Sequence, residues 1–147
     1  MKIPAMRMRE KLVVRVVARF LIPFILLFGL YVQFHGDFGP GGGFQAGVIF
    51  AAGFVLYGLV FGLDSLQRVV PWTAVELGVA LGLLLYGGVG VVSFFLEGNF
   101  LDYRVLDSHD PMHGLHLGIV LIELGVGLTV AASMLALFYA FAGRRAG

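Results

Sequence analysis

The sequence has no cysteine and very few charged residues. Without cysteine, disulfides, thiolate metal sites and thiol catalysis are excluded. Charged residues make up only 13% of the 147 residues, against about a quarter in soluble proteins, whereas 59% of the residues are hydrophobic. Because so little polar material cannot cover a soluble domain, the composition predicts an integral membrane protein.

Four long apolar segments follow one another along the chain. About 20 helical residues, at 1.5 Å each, cross a hydrocarbon core of about 30 Å. We therefore predict an all-α fold, an integral membrane bundle of four transmembrane helices in a single membrane domain over residues 1–147. The expected helices are at about 12–34, 44–63, 72–96 and 113–142. The first apolar segment is too long for a typical signal peptide, so it is expected to remain as an anchor.

Lysine and arginine are distributed unevenly between the two ends of these helices. The basic cluster in residues 1–19, Arg68, Arg144 and Arg145 fall on one side, and Arg104 alone falls on the other. The second side also collects acidic residues, namely Asp37, Glu97, Asp102, Asp107 and Asp110. By the positive-inside rule, both termini are predicted to be cytoplasmic, with the first and third connectors outside.

The connector between the first two helices holds the densest glycine run of the chain. It reads HGDFGPGGGFQAG over residues 35–47 and includes His35, Pro40 and Gln45. The glycines and the proline fix an unusual backbone path. The run lacks the Lys-Ser/Thr ending of a phosphate loop and follows no strand, so nucleotide binding is rejected. Irregular backbone at membrane depth needs protein or water around it, so the connector is expected either to pack closely or to line an ion path.

Small residues recur at helical spacing in the second and fourth helices. In lipid, helices associate through close approach of their backbones, so such stripes mark helix-packing faces. They are Gly47, Ala51 and Gly58 in the second helix, and Gly114, Gly118 and Gly125 in the fourth. General glycine enrichment of membrane helices is the alternative explanation. If the stripes are interfaces, four helices cannot satisfy them all, which favours a subunit of a larger assembly.

Two carboxylates interrupt apolar helices. Glu123 lies about ten residues along the fourth helix, where an ionised carboxylate costs at least about 2.5 kcal/mol unless it is paired or hydrated. His113 and His116 precede it on nearly the same face, so the three form a candidate path for protons or cations. The alternative is interfacial histidines, with Glu123 bonded to a neighbouring helix. Glu76, one turn inside the third helix, is a further ion-path candidate, unless it snorkels or simply complements the helix dipole.

No other group of residues indicates chemistry. His109, Asp110, His113 and His116 do not follow a zinc-binding spacing, so no metal site is predicted. No nucleophile and base are paired, and the basic N-terminal segment leads directly into an apolar helix. We therefore expect no enzyme, no resident cofactor and no nucleic-acid partner.

Two segments, HGDFGPGGGFQAGVIFA and GIVLIELGVGLTVAASM, resemble the B subunit of the Mrp/Mnh-type multisubunit cation/proton antiporters. The resemblance extends from about Val14 to Phe141. It implies a small membrane subunit that takes part in the exchange of Na⁺ for H⁺, through assembly of the complex or through the ion path. The site residues that it implies are His35, Pro40, Gly41, Gly42, Gly43, Phe44 and Gln45 in the glycine motif, and Glu123 in the fourth-helix motif.

The partners implied by the resemblance are the other subunits of the complex, including large subunits similar to those of complex I. The expected location is the lipid bilayer of a bacterial or archaeal cell membrane, crossed several times. Three other functions remain open. The chain is a purely structural membrane-arm subunit with no ion path, a subunit of an Mrp-related membrane-bound hydrogenase, or a self-contained small transporter or channel.

Overall fold

The structure, a computed structural model, describes residues 11–36, 42–96, 98–107 and 109–143. Within these ranges the chain forms five α-helices and one 3₁₀ helix, and no β-strand. The α-helices are α1 (Leu12–His35), α2 (Gly43–Phe61), α3 (Leu63–Val69), α4 (Trp72–Phe95) and α5 (Pro111–Gly143). The 3₁₀ helix covers Tyr103–Leu106.

Four of the described helices, α1, α2, α4 and α5, are long and apolar enough to cross a membrane. The predicted all-α membrane fold is therefore confirmed, and the bounds of these helices lie within two residues of the expected ones. The short α3 was not predicted. The second helix was expected to reach Leu63, but it ends at Phe61 because Gly62 has φ 100°, in the left-handed region that favours glycine. The turn at Gly62 starts α3, which buries Leu66 completely.

The four long helices pack side by side in the order α1, α2, α5, α4. The second and fourth membrane helices, α2 and α5, run parallel, as expected when one span, α4, lies between them: Gly43 meets Glu123, and Gly58 further along α2 meets Phe138 further along α5. The pair α4 and α5 is antiparallel. Since α1 and α4 stand at the ends of this row, each has one long side with no neighbour among the described helices.

Glycines bring the helix backbones close together where α4 crosses α5. A Cβ atom on Gly82 would lie 2.7 Å from the carbonyl oxygen of Gly125, and one on Gly125 would lie 3.0 Å from the carbonyl oxygen of Gly82. The hydroxyl of Thr129 is also at this crossing and donates to the Gly125 carbonyl at 2.8 Å. The crossing therefore depends on the absence of side chains at both glycines.

The predicted stripes of small residues do pack, and they do so within the chain. Gly47 faces the carbonyl of Gly127 in α5, and Gly58 faces Phe138 and Leu66. Near the start of α5, Gly114 and Gly118 lie against Tyr103 of the 3₁₀ helix, and Ala51 of α2 is buried. Because the chain itself covers these faces, the stripes do not by themselves argue for partner subunits.

Other surfaces of the row are left open. Outside α4 itself, none of the described residues has an atom within 4 Å of the place where a Cβ on Gly87 or Gly88 would stand. Along α1, large apolar side chains are exposed, among them Phe20, Phe24 and Phe28. The partly exposed apolar surface is consistent with contact to lipid or to other membrane proteins.

The loop between α4 and α5 uses its acidic residues to begin α5. An Asp110 carboxylate oxygen accepts hydrogen bonds from the backbone N–H groups of Met112 (3.0 Å) and His113 (3.3 Å), and Pro111 is the first helical residue. Asp107 accepts from the N–H groups of His109 and Asp110, and its second oxygen lies 2.9 Å from Nδ1 of His113. Two of the acidic residues that the sequence assigns to this loop thus cap and brace the start of α5.

We predict that Gly82→Ala destabilises the purified chain, because the new methyl group meets the α5 backbone. Overpacking of this kind costs about 1–3 kcal/mol. Gly87→Ala is the matched control, since it makes the same gain in helix propensity on the same helix but meets open space. Thermal unfolding in detergent measures both variants, and equal midpoints for the two would contradict the packing of α4 on α5.

Asp107 provides a prediction about pH. The hydrogen bond from His113, followed by those from the N–H groups of His109 and Asp110, lowers the pKa of Asp107 below its ordinary value of 3.8. A carboxylate with a lowered pKa adds stability above its ordinary pKa and loses this contribution as the pH falls through the lowered value. The brace at the start of α5 should therefore hold at neutral pH and weaken only in acid.

Titration of the labelled Asp107 carboxyl carbon by NMR tests this account. His113→Phe should return the pKa of Asp107 toward 3.8, because it removes the largest cause of the shift. His109→Ala is the control: it keeps the backbone N–H that donates to Asp107, so the pKa should stay low. An unchanged pKa in His113→Phe would refute the bond between the two side chains.

Candidate functional site

The carboxylate of Glu123 lies between the two ends of the glycine-rich connector, which we define as residues 36–42. A Cβ atom on Gly36 would lie 2.5 and 2.7 Å from the two carboxylate oxygens, and one on Gly42 would lie 2.8 Å from Oε1. Glu123 itself is half-buried. Both ends of the connector therefore touch this carboxylate, and neither position has room for a side chain unless the carboxylate moves.

The start of α2 brings backbone against backbone at the same place. A Cβ on Gly43 would collide with the carbonyl oxygen of Glu123. The residue before it, Gly42, has φ 152° and accepts the first helical hydrogen bond from Ala46 at 3.0 Å. Glycine is thus needed at Gly42 for its backbone conformation and at Gly43 for close packing.

The Glu123 carboxylate lies where a capping side chain of α2 would normally be. Gly42, the N-cap residue, has no side chain that could cap the helix. Oε1 of Glu123 lies 2.8 Å from the position that a Cβ on Gly42 would occupy. The first amide groups of a helix have no acceptor within the helix, and the helix dipole favours negative charge at this end. A carboxylate from α5 therefore occupies an electrostatically favourable place at the start of α2.

A third helix reaches the site through Gln33 of α1. Its Oε1 lies 2.6 Å from the place of a Cβ on Gly127, one turn beyond Glu123 on α5. Its Nε2 is buried and has no hydrogen-bond partner within the described part of the chain. Beside it, α1, α2 and α5 enclose a cavity of about 290 Å³ whose lining, apart from Gln33, is apolar. The helices α1, α2 and α5 thus meet at a junction formed by Gln33, Gly43, Glu123 and Gly127.

The junction lies below the level at which α4 ends. Glu123 is twelve residues from the start of α5, which corresponds to about 18 Å along the helix. Its neighbour Gly125 stands beside Gly82 and Tyr86 of α4, and Phe95 ends α4 nine residues after Tyr86. At 1.5 Å per residue, the two ends of the connector lie roughly 10 Å inside the end of α4.

The other predicted site residues are spread over the chain. His35 is exposed and stacks on Tyr31, with 4.9 Å between ring centroids, while Phe44 and Gln45 are exposed in the first turn of α2. Pro40 and Gly41 lie outside the described residues. The structure thus joins Glu123 with Gly42 and Gly43 and places the side chains of Phe44 and Gln45 at the surface.

The two histidines of the predicted line on α5 are both exposed. His116 lies seven residues before Glu123, about 10 Å nearer the start of the helix. His113 lies at the start of α5 and contacts Asp107. Whether they form a path to Glu123 remains a prediction.

Glu76 is exposed and lies in the first turns of α4, at the end of that helix away from the Glu123 junction. Its Oε1 accepts a hydrogen bond from the indole N–H of Trp72 at 2.6 Å. Trp72 begins α4 and packs on Tyr139, whose hydroxyl donates to the carbonyl of Val70 at 2.6 Å. This arrangement is a local one at the end of the helices, away from the Glu123 junction.

Three residues of the junction were not singled out from the sequence, namely Gly36, Gln33 and Gly127. One signal was present: Gln33 is an amide within an apolar helix, and an uncharged polar residue at such a place calls for a partner. The two glycines carried no signal of their own, because what they touch depends on the packing of separate helices.

The chain matches the family described as a domain related to the MnhB subunit of the Na⁺/H⁺ antiporter, over residues 13–136. A relative in Staphylococcus haemolyticus, named "putative antiporter subunit mnhB2", is 33% identical over 133 residues, which cover 89% of this chain and 94% of the relative. Proteins of the same name in Staphylococcus epidermidis (strain ATCC 35984) and Staphylococcus aureus (strain Newman) are 31% and 29% identical over 135 residues, or 90% of this chain and 95% of each relative.

These matches confirm the resemblance seen in the glycine motif and in the fourth helix. Bacterial relatives and four apolar helices indicate a multi-pass protein of a bacterial membrane. The family consists of transporter subunits and not of enzymes. The protein belongs to the MnhB family of Na⁺/H⁺ antiporter subunits.

Proposed function

We propose that this chain works as one membrane subunit of a multisubunit Na⁺/H⁺ antiporter and that Glu123 provides a step on the path of the exchanged ions. The observation that carries the proposal is the closure of both ends of the glycine-rich connector on the Glu123 carboxylate. The family of the chain gives the antiporter complex. The contacts of Glu123 support the proposal that an ion binds there.

The chemistry of the junction suits a cation or a proton. A carboxylate oxygen binds either H⁺ or a hard cation such as Na⁺, and the two compete for the same electron pairs. An ionised carboxylate at membrane depth also needs compensation, because it otherwise costs about 2.5–3.5 kcal/mol. The start of α2 offers partial positive charge beside the carboxylate, and Gly36 and Gly42 bring no side chain between the backbone and the carboxylate oxygens.

The proposed path excludes Glu76, because its carboxylate is already engaged with Trp72 at the other end of α4. It includes His116 and His113 as outer positions on α5, between the Asp107 loop and Glu123. In the proposed orientation, the termini are cytoplasmic and this loop is on the outer side. The basic residues Arg15 and Arg19, near the start of α1, support this orientation by the positive-inside rule.

The proposed partners are the other subunits of the antiporter, including large subunits similar to those of complex I. Support comes from surfaces that the chain leaves open: the glycine pair Gly87 and Gly88 on α4, and the exposed apolar side of α1.

A purely structural role is the second candidate function, and one observation favours it. Gly43 packs its backbone directly on that of Glu123, so the glycine motif is at least a packing device. In a purely structural subunit, Glu123 would only hold α2 in place. The two candidates make opposite predictions for variants that keep the packing and change the carboxylate.

Glu123→Gln is the first such variant. It retains the size of the side chain but removes the charge and the titratable group, so Na⁺/H⁺ exchange by the assembled complex should fall by about tenfold or more, equivalent to about 1.4 kcal/mol on the barrier. The control is Glu76→Gln, which makes the same change at the other carboxylate of the membrane helices and should keep exchange near normal. Fluorescence quenching of a pH dye in inverted vesicles measures exchange, and copurification of the subunits measures assembly. Normal exchange in Glu123→Gln would favour the structural role.

Gly36→Ala and Gly43→Ala form a second, matched pair. The atoms nearest to a methyl group at Gly36 belong to the Glu123 carboxyl group, which can turn away, whereas those nearest to a methyl group at Gly43 belong to the α5 backbone. We therefore expect Gly36→Ala to assemble normally but to exchange ions more slowly, and Gly43→Ala to reduce the amount of assembled complex. If both variants lose assembly to the same extent and the assembled remainder transports normally, the connector is a packing element alone.

A further inference from the structure

We propose that this protein binds the phosphate of an anionic phospholipid headgroup between α1 and α2, at the end where α2 meets α3. The site is a cleft of about 210 Å³ lined by Arg15, Tyr57, Val60, Phe61 and Ser65. It lies at the opposite end of α2 from the Glu123 junction and does not depend on the proposed role of Glu123.

Arg15 lines this cleft, and Arg19 lies beside it on the same Phe61 ring. The guanidinium carbons of Arg15 and Arg19 lie 5.8 and 5.9 Å from the centroid of the Phe61 ring, a distance typical of cation–π contact. Their spacing of four residues puts both on one face of α1. Phe61 is itself supported by Tyr57, with 4.8 Å between the ring centroids. An aromatic pair on α2 therefore collects two positive charges from α1.

The two guanidinium groups keep donors available for an anion. A guanidinium that rests its face on a ring still has its N–H groups in the plane, where they form paired hydrogen bonds with phosphate or carboxylate oxygens. Among residues 11–36, 42–96, 98–107 and 109–143, no carboxylate lies within 4.0 Å of Arg15 or Arg19. Two adjacent positive charges without a counter-ion in this part of the chain favour the binding of an anion from outside it.

The level of the cleft points to a lipid headgroup. Phe61 ends α2, Trp72 begins α4, and the short α3 joins them, so the cleft lies where the membrane helices end. From there, α1 continues with exposed apolar side chains, including Val16, Phe20 and Phe24. A phospholipid can place its phosphate on the arginines and its acyl chains along this side of α1, and basic pockets between membrane helices bind anionic headgroups in this way.

Native mass spectrometry of the full chain in detergent, titrated with phosphatidylglycerol, tests the proposal. Arg15→Gln and Arg19→Gln should each weaken the first bound lipid by about fivefold, since a basic residue near an anionic surface contributes about 1 kcal/mol. Arg15→Lys should weaken it by a smaller factor, because it keeps the charge and loses only the planar pair of donors. Circular dichroism confirms that the variants retain their helices.

The matched control is Arg68→Gln, which removes the same charge from α3 near the same end of the row but outside the cleft. It should change lipid binding less than twofold; an effect equal to that of Arg15→Gln would mean diffuse attraction and would overturn the site.

Phosphatidylcholine should bind more weakly than phosphatidylglycerol, and inorganic phosphate should not displace the lipid. Displacement by phosphate would assign the cleft to a soluble anion. Unchanged lipid binding in Arg15→Gln, together with loss of complex assembly, would assign it to a partner's carboxylate; either result contradicts the proposal.

Discussion

A charged carboxylate among membrane helices is unfavourable unless other groups compensate its charge. In this protein the Glu123 carboxylate lies where α1, α2 and α5 meet. The two ends of the connector, Gly36 and Gly42, lie against the Glu123 carboxylate, and the start of α2, where the helix dipole favours negative charge, lies beside it. Any side chain at these glycines would displace the carboxylate. The glycine motif and the acidic residue are therefore one structural unit, although some eighty residues of sequence separate them.

The helix row explains why so many positions are glycine. Gly43 and Gly47 let α2 approach α5, and Gly82 and Gly125 let α4 approach the same helix from the other side. Helices in lipid gain little from the hydrophobic effect and associate through close backbone packing. Because α5 has α2 on one side and α4 on the other, it carries the half-buried Glu123 within the row, while the outer side of α1 is exposed.

The sequence was sufficient for the four membrane helices, since span length and hydropathy fix them within two residues, and for the packing stripe of α5. It did not predict α3, because the left-handed conformation of Gly62 ends α2 early, and a single glycine is common inside membrane helices. Nor did the sequence pattern indicate that the connector and Glu123 lie together. Their junction depends on how deeply the connector enters the row, and periodicity along each helix carries no information about the relative depth of two helices.

The most direct test of this account is a density map of the assembled antiporter from electron cryomicroscopy, at a resolution that shows the connector and the Glu123 side chain. The account predicts van der Waals contact, within about 4.5 Å, between the Glu123 carboxylate and the backbone at both Gly36 and Gly42. A connector that lies outside the helix row, with the carboxylate turned toward lipid or toward a group of another subunit, would contradict it.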